Sequence, residues 1–91
     1  MWEKEEINIG DVEVGEKYTV TFKYNGDLSV LKISTSCGCT VPKIENNKVV
    51  VIYTPKPGKT YPYECKRYIF INHDNVNYSK LYIKSTVYDQ I

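Results

Sequence analysis

The 91-residue chain carries 12 Lys and Arg against 11 Asp and Glu, a net charge of +1, which argues against a dedicated binder of nucleic acid or of an anionic membrane. No run approaches the roughly 18 apolar residues of a membrane span, and the charged start, Met1-Trp2-Glu3-Lys4-Glu5-Glu6, lacks the apolar stretch of a secretory leader. The length accommodates one domain, residues 1–91, and its nine tyrosines, with frequent Thr and Val, suit pleated, half-buried surfaces rather than helices.

Ile7 and Ile9 alternate with polar neighbours, and Val12 and Val14 repeat the alternation after Gly10-Asp11, the period-two mark of a strand. Gly15-Glu16 interrupts it. Tyr18, Val20, Phe22 and Tyr24 then share one face, with Thr19, Thr21 and Lys23 on the other. Asn25-Gly26-Asp27 is a turn, because Asn and Gly tolerate positive φ. Leu28 to Ser34 reads as a third strand, running into Cys37-Gly38-Cys39. Val41 and Ile44 lie beyond it, and Pro42 marks an edge or a bend. Glu45-Asn46-Asn47 is another turn.

Lys48 to Thr54 is apolar on both faces and reads as an interior strand. Pro55 to Pro62 is a loop by composition. Tyr63 to Asn72 and Tyr78 to Tyr88 are two long final strands. No window shows helical spacing with a capping signal. The pattern predicts an all-β, immunoglobulin-like, antiparallel two-sheet β-sandwich of seven to eight strands, with Tyr18, Val20, Phe22, Val51 and Ile69 in its core.

The chemistry-bearing residues are few. Cys37, Cys39, Cys65 and His73 formally complete a Cys₃His zinc set, but the usual knuckle places two residues between its paired cysteines, not one. His73 falls in the polar run Asn72-His73-Asp74-Asn75, where a solvated histidine is expected. A disulfide within Cys37-Gly38-Cys39 meets a geometric objection. Extended backbone sets residues i and i+2 about 6.5–7 Å apart, and disulfides prefer about 4.4–6.8 Å. Gly38 is the residue that allows a bend.

Redox catalysis needs a helix N-terminus or an adjacent cation to favour the thiolate, and Thr35, Ser36 and Thr40 supply neither. A hydrolytic cysteine needs a histidine and an orienting group. The expectation is therefore that the thiols are reduced, inert and packed between sheets, with Gly38 at a bulge or strand crossing and the hydroxyls satisfying backbone groups there. No metal and no cofactor are expected.

The stretch from Gly10 to Lys43 resembles a bacterial domain-of-unknown-function family marked by a Ser-Cys-Gly-Cys-Thr core, here Ser36, Cys37, Gly38, Cys39 and Thr40. Gly10, Val12, Gly15 and Glu16 match its opening, Asn25-Gly26-Asp27 its turn, and Asn72-His73-Asp74 its late turn. The resemblance implies a PapD-like, immunoglobulin-like sandwich with a binding or structural role, and carries over no catalytic residue. A stand-alone domain of this kind is similar to accessory proteins of tailed-phage capsids.

The expected function is a non-catalytic, protein-binding part of a virion or other large assembly, located in the virion or in a bacterial cytoplasm. The expected partner is protein, such as a major capsid protein, with no nucleic acid and no membrane. Tyr61, Tyr63 and Tyr78 are the interface candidates, because tyrosine buries area yet keeps a polar tip and loops at sandwich ends commonly carry binding. Two alternatives stand beside this reading. One is a zinc or redox module built on the Cys-Gly-Cys motif. The other is pairing of an outer strand, Tyr78–Tyr88 included, with a partner's extended segment.

Overall fold

The computed structural model describes residues 1–89. Seven strands form: β1 (Glu6–Glu13), β2 (Tyr18–Lys23), β3 (Lys32–Thr35), β4 (Thr40–Glu45), β5 (Lys48–Tyr53), β6 (Tyr63–Asn72) and β7 (Tyr78–Tyr88). They make a four-stranded sheet in the order β1-β7-β6-β3 and a three-stranded sheet in the order β2-β5-β4. All pairings are antiparallel except β1 with β7, which run parallel, Ile7 opposite Ile83 and Val12 opposite Val87. The two-sheet sandwich is as expected; the parallel pair is not. Alternation reports which face a residue occupies and is silent on strand direction.

Ile7-Ile9 and Val12-Val14 belong to one stretch of chain rather than two elements. The register steps from Asn8↔Lys84 to Asp11↔Thr86, three residues on β1 against two on β7, so one residue is extra. Gly10, at φ 75°, takes the left-handed conformation there, and its N–H donates to Asn8 Oδ1 at 2.9 Å. This bulge lets Ile7 and Val12, five apart, face the same core.

The third strand begins at Lys32, not Leu28. Between Lys23 and Lys32 the chain leaves the three-stranded sheet for the four-stranded one, and a crossing segment has no ladder neighbour. Its amides find other acceptors: Leu28 N–H donates to Asn47 Oδ1 at 3.1 Å and Leu31 N–H to Asn72 O at 2.7 Å. The β4–β5 hairpin turns at Asn46, φ 53°, a conformation Asn tolerates.

Between the sheets lie Val20 and Phe22 of β2, Val49, Val51 and Tyr53 of β5, Ile69 and Ile71 of β6, and Leu81, Ile83 and Val87 of β7. Full burial of each aliphatic or Phe side chain contributes about 1.5–3 kcal/mol. Tyr18, expected among them, is only half-buried and packs at the core's margin.

β5 is central, flanked by β2 and β4, and Pro42 sits on the edge strand β4, where its missing N–H disrupts no ladder. β7 lies between β1 and β6, so the expectation of an outer strand at Tyr78–Tyr88 is corrected. The edges are β1, β2, β3 and β4.

Candidate functional site

The Ser36–Thr40 motif is the corner at which the chain passes from β3 in one sheet to β4 in the other. Ser36 closes β3 against β6: its N–H donates to Tyr68 O, and Tyr68 N–H donates to Ser36 Oγ, both at 3.0 Å. The Cys37 carbonyl then accepts three bonds, from Thr35 Oγ1 at 3.0 Å, Thr40 Oγ1 at 2.9 Å and Thr40 N–H at 3.2 Å. This triple anchor folds the chain back, and the Cys37 and Cys39 Cα atoms come to 5.2 Å.

The two sulfurs are joined as a disulfide. The expectation that these thiols are reduced is corrected, because the spacing argument assumed extended backbone and the backbone here is a turn. Cys39 is 7% exposed, as packing predicted, while Cys37 is half-buried.

The hydroxyls, not the glycine, make this bend. Gly38 lies outside the left-handed region, and a Cβ built on it meets no atom within 4 Å. Gly38→Ala is therefore expected to shift stability by less than about 1 kcal/mol. Gly58→Ala provides the contrast: its Cβ would lie 2.6 Å from Tyr63 Cε1, and the Tyr63 hydroxyl is tied to the Lys56 carbonyl. Overpacking of that kind costs about 1–3 kcal/mol. Urea unfolding of both variants checks the pair.

The candidate zinc set is not assembled. Cys37 and Cys39 are bonded to each other, and Cys65 is buried on β6 opposite Ser85. His73 lies past the far end of that strand, and among the described residues no group of three His, Cys, Asp or Glu is placed to hold a metal. Nor is His73 merely solvated. Its Nδ1 is 2.9 Å from Ser29 O and its Nε2 2.7 Å from Ser79 Oγ. A carbonyl only accepts, so Nδ1 carries the proton and Nε2 accepts from Ser79. Ser79 Oγ in turn accepts from Trp2 Nε1 at 2.9 Å. Next to it, Asp74 fastens the β6–β7 turn by accepting from Val76 N–H, Asn77 N–H and Asn77 Nδ2. Those bonds, with Asn77 foremost, hold its carboxyl down at about 2.

The three interface tyrosines do not share one surface. Tyr61 and Tyr63 are neighbours, with ring centroids 5.9 Å apart. Tyr63 pairs with Val87 and Tyr78 with Asn72, at opposite ends of the β6–β7 ladder. That separation is about 30 Å at the usual strand rise.

Tyr61 lines a groove of about 600 Å³ at its end of the sandwich, with Tyr18, Tyr88, Asp11, Glu13 and Asp89 also on the walls. The parallel β1–β7 pairing, Glu13 opposite Tyr88, brings two of these walls together. Two hydroxyls are fixed as acceptors, Tyr18 from Glu13 N–H at 2.8 Å and Tyr61 from Gly58 N–H at 2.9 Å, which orients both rings. Among the described residues the lining holds three carboxylates and no Lys or Arg, which gives it an acidic character. Tyr18, Tyr88, Asp11 and Glu13 were invisible to sequence reasoning. Nothing local marks them, because a bulge and a parallel partner far along the chain assemble the walls.

A second aromatic surface is the outer face of the four-stranded sheet, where Tyr68 and Tyr82 meet edge to face at 5.0 Å. Lys66 Nζ lies 4.5 Å from the Tyr82 centroid and Lys80 Nζ 5.1 Å from that of Tyr68. These rings are covered by cations of the chain itself, whereas the groove is concave and open.

In comparisons with curated proteins and with solved structures, nothing matches the chain. Residues 1–87 match the family described as protein of unknown function (DUF1573). The chain, whose Ser36–Thr40 corner joins two sheets of a sandwich, belongs to the DUF1573 family.

Proposed function

We propose that this protein is a non-catalytic binding module that docks onto another protein through the groove of Tyr18, Tyr61 and Tyr88. One observation carries the reading: a concave site whose walls hold three tyrosines beside Asp11 and Glu13, with no Lys or Arg among the described lining residues. Such a site is complementary to an arginine or lysine side chain, held against the rings by cation–π attraction and by the flanking carboxylates. Each such contact supplies about 0.5–2 kcal/mol, so a stable complex draws on several contacts around the groove. An auxiliary subunit of a large assembly suits this chemistry, a phage capsid being the instance the resemblance suggests.

Titration with a capped Gly-Arg-Gly peptide, followed by NMR, tests the groove. Shifts should concentrate on Tyr18, Tyr61 and Tyr88, weaken at high salt, and fall at least fivefold in Glu13→Gln and Tyr61→Ala. Shifts that are absent, or equal for a Gly-Gln-Gly peptide, would remove the proposal.

A further inference from the structure

The Cys37–Cys39 bond lies outside the groove lining and serves no purpose in docking. As a staple it is weak. Its loop encloses one residue, far from the roughly 15-residue loop at which cross-linking is worth about 3 kcal/mol. The corner does not need the bond for its shape either. The three bonds to Cys37 O, the Ser36–Tyr68 pair and the Thr54 N–H to Cys39 O bond at 2.9 Å hold it. With the S–S bond broken, those constraints still keep the two sulfurs side by side.

The sulfurs differ in surroundings. Cys37 is half-buried and within reach of solvent, whereas Cys39 is buried. Cys39 N–H donates to Cys37 Sγ at 3.2 Å, a contact that strengthens when that sulfur becomes anionic. The ladder also delivers a cation the sequence concealed. Thr35 pairs with Ile69 and Ser36 with Tyr68, so Arg67 is the next residue of β6 along the line towards Cys37. Arg67 is half-buried, and its Nε is buried with no hydrogen-bond partner among the described residues. Its charge is felt at Tyr53 and Tyr63, on the strands next to the corner.

We infer that Cys37–Gly38–Cys39 is a reversible thiol–disulfide exchange site whose co-substrate is a dithiol. The donor's first thiolate attacks Cys37 Sγ. The S–S electron pair leaves on Cys39 Sγ, which takes a proton, and Cys37 is left in a mixed disulfide. The donor's second thiolate then attacks its own sulfur in that bond and releases Cys37 as a thiolate beside Cys39 N–H. Once Cys37 in turn takes a proton from solvent, the net change is one protein disulfide reduced to two thiols and one dithiol oxidised to a disulfide, two electrons and two protons passing to the protein.

The test equilibrates the folded chain with mixtures of reduced and oxidised dithiothreitol, quenches by alkylation and locates the modified cysteines by peptide mass, with circular dichroism recording the fold. Cys37 and Cys39 should become alkylated together while the fold persists, and the bond should re-form within the monomer when oxidised dithiothreitol replaces the reduced form and takes up the two electrons. Reduced glutathione at equal thiol concentration should act at least tenfold more slowly. Thr35→Val/Thr40→Val, which removes two of the anchors on Cys37 O, should slow re-formation about tenfold. Cys37 and Cys39 remaining free in the oxidised arm would overturn the inference, as would reduction only on unfolding, equal rates with glutathione, or re-formation unaffected by the threonine changes.

Discussion

Tyr53→Ala should destabilise the fold by about 3–5 kcal/mol, a large part of what a domain of this size possesses. Tyr53 is 0% exposed on the central strand β5, with Tyr18 and Thr40 opposite it on the two flanking strands. Its hydroxyl reaches across the core to Ser85 Oγ on β7 at 3.1 Å, a polar tie between the two sheets. Tyr53→Phe keeps the ring and should cost about 1–3 kcal/mol, because the Ser85 hydroxyl loses its partner.

The same residue sets an alkaline limit. Burial pushes the Tyr53 phenol up to about 12, against a downward pull from its bond to Ser85 and a smaller upward push from nearby Cys65. A group whose folded value is raised contributes stability that is fully present below its unfolded value and lost as pH climbs through the folded value. For Tyr53 that window runs from 10.0 to about 12, and the loss is about 2–3 kcal/mol. Stability measured by urea at successive pH values should fall across that window in the native chain, and more shallowly in Tyr53→Phe. Identical slopes in the two proteins would refute the assignment.

Trp2→Ala is the second large effect, at about 3–5 kcal/mol, with a fall in Tm of at least about 12 °C. Trp2 is 8% exposed although it lies in a charged opening segment. It packs edge to face on Tyr24 at 4.9 Å, bridges to Tyr24 in the ladder sense, and donates to Ser79. Glu3 N–H to Lys23 O, at 2.9 Å, continues the attachment. The opening segment thereby joins the end of β2, in one sheet, to β1, in the other. Trp2→Phe keeps most of the buried area and loses the N–H, so it should cost less than half as much. Thermal unfolding by circular dichroism separates the two variants, and a Trp2→Ala protein melting within a few degrees of the native chain would show that the segment carries no weight.

Much of this architecture is readable along the chain because it is local. The alternation from Tyr18 to Phe22 assigns Val20 and Phe22 to the core, and the apolar run at Val49–Val51 marks an interior strand, as β5 is. Asn25-Gly26 and Asn46 turn because their own sterics permit the positive φ that Gly26 and Asn46 adopt. What escaped is everything that depends on a distant neighbour. The parallel β1–β7 pairing, the central place of β7, the engagement of Trp2 and His73 with Ser79, and the tie between Ser36 and Tyr68 at the cysteine corner join residues far apart in the chain. The groove walls arise the same way. Period-two patterning states which side of a strand is dry but carries no information on which strand lies beside it or in which direction, and that pairing is settled by packing the two sheets face to face.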